Sequence, residues 1–92
     1  MDGPTFESGL KALRKKVDVL DSAIARLLSR RFKTVARIGA VKKAAGKPAE
    51  DKGRERQVLA RARTGGGRAH PKAVEVVFRS IIRESKKIEE GK

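Results

Sequence analysis

A chain of 92 residues carries 24 Lys and Arg against 11 Asp and Glu, a formal charge of +13, with 38% apolar and 38% charged residues. That length suits one small domain, residues 1–92, which can bury only a modest core of Leu, Ile and Val in the absence of Trp and Tyr. Cysteine is absent, which excludes disulfides, thiolate metal sites and thiol nucleophiles, and the single histidine, His70, excludes a multi-histidine metal site. The opening MDGPTFESG is polar and slightly acidic, unlike a secretory leader. No run approaches the ~18 apolar residues of a membrane span, so no membrane partner is expected and the expected location is cytoplasmic. The positive balance alone favours a polyanion, with nucleic acid the first candidate.

Residues 1–9 read as a lead-in broken by Gly3, Pro4 and Gly9, with Ser8 available to cap a helix of about 8–45. In sevens, that stretch places Leu10, Val17, Ile24, Arg31 and Ile38 on one row and Leu13, Leu20, Leu27, Thr34 and Val41 on its companion. This is a near-3.5 period, the pattern of a packed helix seam. Arg31 and Thr34 interrupt it, and Arg14 and Lys42 each flank it by one residue. Gly39 inside the helix marks either a close approach of another group or a tolerated cost of roughly 1 kcal/mol. Gly46 and Pro48 end the helix. A rod of ~50 Å at 1.5 Å per residue exceeds a compact globule of this length, whose radius of gyration is near ~12 Å. Its apolar stripe must therefore be covered partly by another chain.

A second helix, about 50–64, carries Glu55, Val58, Leu59 and Ala62 on one face, and Asp51, Arg54 and Glu55 share its first turns at i, i+3, i+4 spacing. Thr64-Gly65-Gly66-Gly67 reads as a flexible break, since three glycines do not sustain a helix. Pro71 suits the first turn of a third helix, about 71–90, and His70 before it suits a capping or loop role. Val74, Val77, Phe78, Ile81, Ser85 and Ile88 form the stripe of that helix, with Glu89 one turn beyond Ser85.

Seventeen residues separate Arg14 from Arg31, ~25 Å along one helix, so the two cannot hold one small ligand from the same chain. Eleven separate Arg31 from Lys42, almost three turns, so both project from one face ~16 Å apart. An antiparallel twin helix would bring its Arg14 between them, with the two-fold axis near Ile24 and Ala25, and a symmetric dimer would form two equal sites. Arg31 by itself could equally set register or reach for water, with Lys42 at the surface. Polar residues nevertheless recur on all three stripes: Arg14, Arg31 and Lys42, then Asp51, Arg54 and Glu55, then Ser85 and Glu89. Charges on inward faces imply a polar pocket, and the excess of cations favours a small dianion.

L-R-K-K-V-D-V-L-D from Leu13, R-R from Arg30, I-G-A-V-K ending at Lys42, D-K-G-R-E-R from Asp51 and I-I-R-E-S from Ile81 resemble the all-helical (AroQ-type) chorismate mutases. The resemblance runs from about Leu10 to Glu89, and the D-x-x-R-E element is its most specific part. It implies an all-α fold of three helices per chain in an intertwined homodimeric bundle, which converts chorismate to prephenate in Phe and Tyr biosynthesis (the shikimate pathway). The reaction is a unimolecular Claisen rearrangement that needs no cofactor and no metal. By position, Arg14 from the partner and Arg31 would clamp the two carboxylates of the substrate. Lys42 would hydrogen-bond the ether oxygen as the C–O bond breaks. Asp51 would support the mouth of the site, Arg54 would line it, Glu55 would accept from the ring hydroxyl, and Ser85 would contact a carboxylate or the hydroxyl side. Glu89 stands where many members carry Gln, the second donor to the ether oxygen.

Catalysis would come from selecting the compact conformer and stabilising charge at the ether oxygen, with Lys42, Arg31 and Glu89 as the catalytic groups. A carboxylate cannot donate a hydrogen bond, so Glu89 assists only when protonated. Two rivals share the fold: a lyase acting on isochorismate, disfavoured by the Arg54-Glu55 pair, and a mutase of 4-amino-4-deoxychorismate, whose ammonium Glu55 could face. From a different class, a basic nucleic-acid module would use Arg30, Lys33, Arg37, Lys43 and Lys47, residues that suit a solvated face better.

Overall fold

The computed structural model describes residues 2–91. Three α-helices, α1 (Asp2–Ala44), α2 (Lys52–Arg61) and α3 (Pro71–Glu89), account for most of them, and a π-helical turn, Ala62–Gly66, extends α2. No strand occurs among the described residues. The chain divides into two compact units, Met1–Arg31 and Phe32–Lys92.

The first unit is a single length of helix. It begins at Asp2, so the expected lead-in and the Ser8 cap give way to helix. Pro4 lies in the first turn, where a missing N–H breaks no helical bond, and for that reason it does not delay the start. The seam residues Leu13, Val17, Leu20, Ile24 and Leu27 are each more than half exposed, between 52% and 61%.

The second unit holds the end of α1 together with α2 and α3. Its buried apolar side chain among those described is Val35, 7% exposed, supported by half-buried Phe32, Val58, Leu59, Val74, Phe78, Ile81, Ile82 and Ile88. Helix α1 closes in a Schellman motif: Gly46 takes φ +68°, its N–H donates to the carbonyl of Lys43 at 3.1 Å, and that of Lys47 reaches the carbonyl of Lys42 at 2.8 Å. Glycine is needed at this turn because a left-handed backbone costs any residue with a Cβ. Asp51 then caps α2, its carboxylate accepting from the Arg54 N–H at 3.0 Å.

The expected break at 64–67 takes another form. Thr64, Gly65 and Gly66 continue as the π-helical turn, the Thr64 hydroxyl donates to the Ala60 carbonyl at 2.8 Å, and the Gly67 N–H closes on the Ala62 carbonyl at 2.8 Å. A Cβ on Gly67 would strike that same Ala62 oxygen and the Val74 side chain, 2.8 Å away. The glycine therefore admits α3 to the end of α2 and does not simply loosen the chain. Arg63 and Arg79 clasp the turn to α3 through Glu75, at 3.0 and 2.9 Å. Hydrogen bonding from Arg79 first, with the charge of Arg79 and the hydrogen bond and charge of Arg63, holds the Glu75 carboxyl below its ordinary value against the opposing effect of desolvation. His70 caps α3 through its backbone carbonyl, which accepts from Val74 at 3.0 Å, and Pro71 opens the helix.

Candidate functional site

Gly39 and the α1 cap together build the most constrained polar feature of the second unit. A Cβ on Gly39 would lie 2.6 Å from the Glu89 carbonyl oxygen and 2.7 Å from its Cα, so the two backbones meet at a distance that only glycine allows. Of the two readings of Gly39 left open by the sequence, close approach is the correct one. It brings the Glu89 carboxylate within reach of Lys42, three residues further along α1. The Lys42 ammonium donates to Glu89 Oε1 at 2.7 Å and to the Ala49 carbonyl at 2.8 Å. The reversal at Gly46 supplies that second acceptor by folding the chain back over the last turn of α1. Both side chains are largely withdrawn from water, at 26% exposure for Lys42 and 12% for Glu89. Lys43, Lys47 and Glu90 join them around a concavity of ≈ 220 Å³. On its other side Lys42 borders a shallow groove of ≈ 300 Å³ with Thr34, Arg37, Ile38 and Val41, the seam face of α1.

Glu55 lies on α2, one turn beyond the Asp51 cap, and is half-buried. Its Oε2 is buried and receives no hydrogen bond, although the Lys86 ammonium of α3 stands 3.2 Å away, off the line of a hydrogen bond. The same ammonium donates to Glu50 Oε1 at 3.2 Å. Hydrogen bonding to Glu50, then the neighbouring Glu55 carboxylate, raises Lys86 above the ordinary lysine value. Ser85 is buried, 5% exposed, and its hydroxyl donates to the Ile81 carbonyl of its own helix at 2.6 Å. Arg54 is exposed and turns towards Gln57, donating to its Oε1 at 3.3 Å.

The residues singled out in the sequence thus divide into four groups. Lys42 and Glu89 are brought into direct contact. Glu55 and Ser85 are withdrawn from solvent on α2 and α3, while Asp51 and Arg54 organise the start of α2. In the first unit Arg14 is exposed and Arg31, at its end, is half-buried. Sequence reasoning missed Lys86, Glu50 and the Ala49 carbonyl. Lys86 was within reach of it: Ile82, Ser85, Lys86 and Glu89 follow i, i+3, i+4, i+7 along one helix face. A carbonyl acceptor leaves no trace in residue type.

The arrangement is chemically spare: an ammonium held in a half-buried recess, carboxylates beside it, and helices as the sole scaffold. Such a recess in an all-helical scaffold suits a small polar molecule held by charge. The family model of chorismate mutase type II matches residues 13–90, and the chain belongs to that family of isomerases, the enzymes that convert chorismate to prephenate. No solved structure matches the chain. No described helix is long and apolar enough to cross a membrane.

Proposed function

We propose that residues 1–92 act as one chorismate mutase domain within an intertwined homodimer, in the cytoplasm, on the route to Phe and Tyr. The exposed seam from Leu13 to Leu27 supports the dimer, because a row of large apolar side chains half open to water is stabilised by a second copy of the same row. In that assembly Arg14 of one chain and Arg31 of the other clamp the two carboxylates of chorismate. Lys42 donates to the ether oxygen and a carboxylate, Glu55 accepts from the ring hydroxyl, and Arg54 lines the pocket. Ser85 turns its hydroxyl from Ile81 to a substrate oxygen, and Asp51 holds the start of α2 in place by its cap.

The reaction follows from placement alone. Binding the two carboxylates selects the folded conformer, in which the new C–C bond forms as the ether C–O bond breaks. Negative charge grows on the ether oxygen as that bond lengthens, and a pre-placed ammonium stabilises it more than it stabilises the ground state. No proton is transferred in the rearrangement itself, so neither a nucleophile nor a cofactor is required.

The Lys42 ammonium carries this reading: it is held by Glu89 and Ala49 and borders two concavities. Incubating the purified protein with chorismate and identifying the product tests it. Prephenate is expected, and Lys42→Ala is expected to lower kcat by roughly 10²–10³-fold, the usual cost of one transition-state donor, with helix content unchanged. No prephenate from acid to neutral pH overturns the activity. A fully active Lys42→Ala variant removes Lys42 from the role given to it.

A further inference from the structure

We propose that Lys86 is a positioning residue that sets substrate specificity: paired with Glu55, it makes that carboxylate an acceptor for a neutral ring hydroxyl and discriminates against a substrate with an ammonium at the same ring position. The inference rests on the reading above that Glu55 meets the ring substituent. It goes beyond that reading by assigning the choice of substituent to a residue on another helix.

Three observations carry it. First, Glu55 Oε2 is a buried acceptor that receives no aligned hydrogen bond, so its lone pairs remain open to a donor although the Lys86 charge offsets part of its desolvation. An acceptor left open in this way fits a ligand that brings a donor. Both a hydroxyl and an ammonium could do so, and charge decides between them. Second, Lys86 Nζ lies 3.2 Å from that same oxygen, with its side chain 31% exposed and that of Glu55 26% exposed. The Glu55–Lys86 pair is therefore close to neutral as a unit. A hydroxyl can bind to it at no electrostatic cost, whereas an ammonium would sit within a few ångströms of a second cation. Third, Lys86 is anchored from both sides, since Glu50 Oε1 accepts its hydrogen bond at 3.2 Å. Glu50 is more open to water, at 52% exposure against 26% for Glu55, so solvent weakens its field in the recess more than that of Glu55. It fixes the ammonium in place and offsets only part of its charge there.

The rival with an amino group cannot be separated from chorismate by Glu55 alone, since a carboxylate receives either substituent. Lys86 breaks that tie. One unit charge at a half-exposed position, a few ångströms from the group it repels, is worth roughly a tenfold change in relative kcat/KM.

The test compares chorismate and 4-amino-4-deoxychorismate as substrates of the intact protein and reads the ratio of their kcat/KM values. Wild type is expected to prefer the hydroxyl substrate. Lys86→Gln should move the ratio roughly tenfold towards the amino substrate. Lys86→Arg, which keeps the charge, should hold the wild-type ratio. Lys86→Met, which keeps the apolar stem, serves where Lys86→Gln folds poorly, and a ratio is insensitive to the fraction of active protein. A ratio unchanged in both uncharged variants, or a wild type that uses the two substrates equally, overturns the proposal. Glu55→Gln separates the levels. If it leaves chorismate turnover and the ratio untouched, the placement of Glu55 at the ring substituent is wrong. If it lowers turnover while the Lys86 variants leave the ratio alone, only the role of Lys86 is wrong.

Discussion

Glu89 illustrates how one atom decides a residue's part in this site. Its carboxylate accepts from the Lys42 ammonium at 2.7 Å, so each charge satisfies the other. An ether oxygen gathering negative charge meets something different, for it needs donors, and an ionised Glu89 has none to give. Lys42, Lys43 and Lys47 face the same recess, together with Glu90, so its field combines cations and acids. Glu89→Gln replaces the carboxylate with an amide whose N–H can donate to the ether oxygen, and steady-state kinetics are expected to show a higher kcat. A kcat that falls would mean that the hold of the carboxylate on Lys42 outweighs the donor it lacks. At this scale the sequence was informative where chemistry repeats at helical spacing. Lys42, Glu55, Ser85 and Glu89 could be read from periodicity and motif. The Ala49 carbonyl could not, because its position depends on the reversal at Gly46; Lys86 shares the helical face of Ser85 and Glu89, but its pairing with Glu50 and Glu55 depends on how the start of α2 meets α3.

The elements meet at glycines, and these gave the sequence reading both its good and its poor results. Gly39 was ambiguous in the sequence because a helix can carry a glycine for about 1 kcal/mol with no purpose served. The Glu89 backbone removes the ambiguity. Gly39→Ala places a Cβ 2.6 Å from the Glu89 carbonyl oxygen, and since that neighbour is backbone, α3 must move away from α1. Overpacking of this kind costs about 1–3 kcal/mol. The movement also draws the Glu89 carboxylate from Lys42. Chemical denaturation should show the loss of stability, and kcat should fall while folded protein is still in excess. Equal stability and full activity would mean that the close approach is not needed. The glycine run after Thr64 misled in the opposite direction. Intrinsic propensity predicts a break there, but the Thr64 hydroxyl, the Gly67 N–H and the Glu75 clasp give the winding partners that propensity does not count. The start of α1 at Asp2 follows the same rule, since Pro4 and Gly3 are poor only inside a helix and cost little in its first turn.

For the molecule as a whole, the exposed seam is the main energetic problem. Leu13, Val17, Leu20, Ile24 and Leu27 remain more than half exposed, and fully burying one such side chain is worth about 1.5–3 kcal/mol. A heptad row could be read from the sequence because periodicity survives without any knowledge of the partner; what covers it could not, because a twin helix has the same sequence as the helix it covers. The proposed answer is a second copy, and it makes a prediction specific to an intertwined dimer. If each site takes Arg14 from one chain and Arg31 and Lys42 from the other, Arg14→Ala spoils both sites of its homodimer, and so does Arg31→Ala. In a mixed dimer, one site receives both defects and the other receives none. Co-refolding the two inactive variants should therefore restore about half of the wild-type activity per heterodimer, against almost none for either variant alone. Differently tagged chains would verify that exchange has taken place. Activity that stays absent in verified heterodimers would mean that Arg14 is not donated across the interface, and the seam would then join the chains without joining their sites.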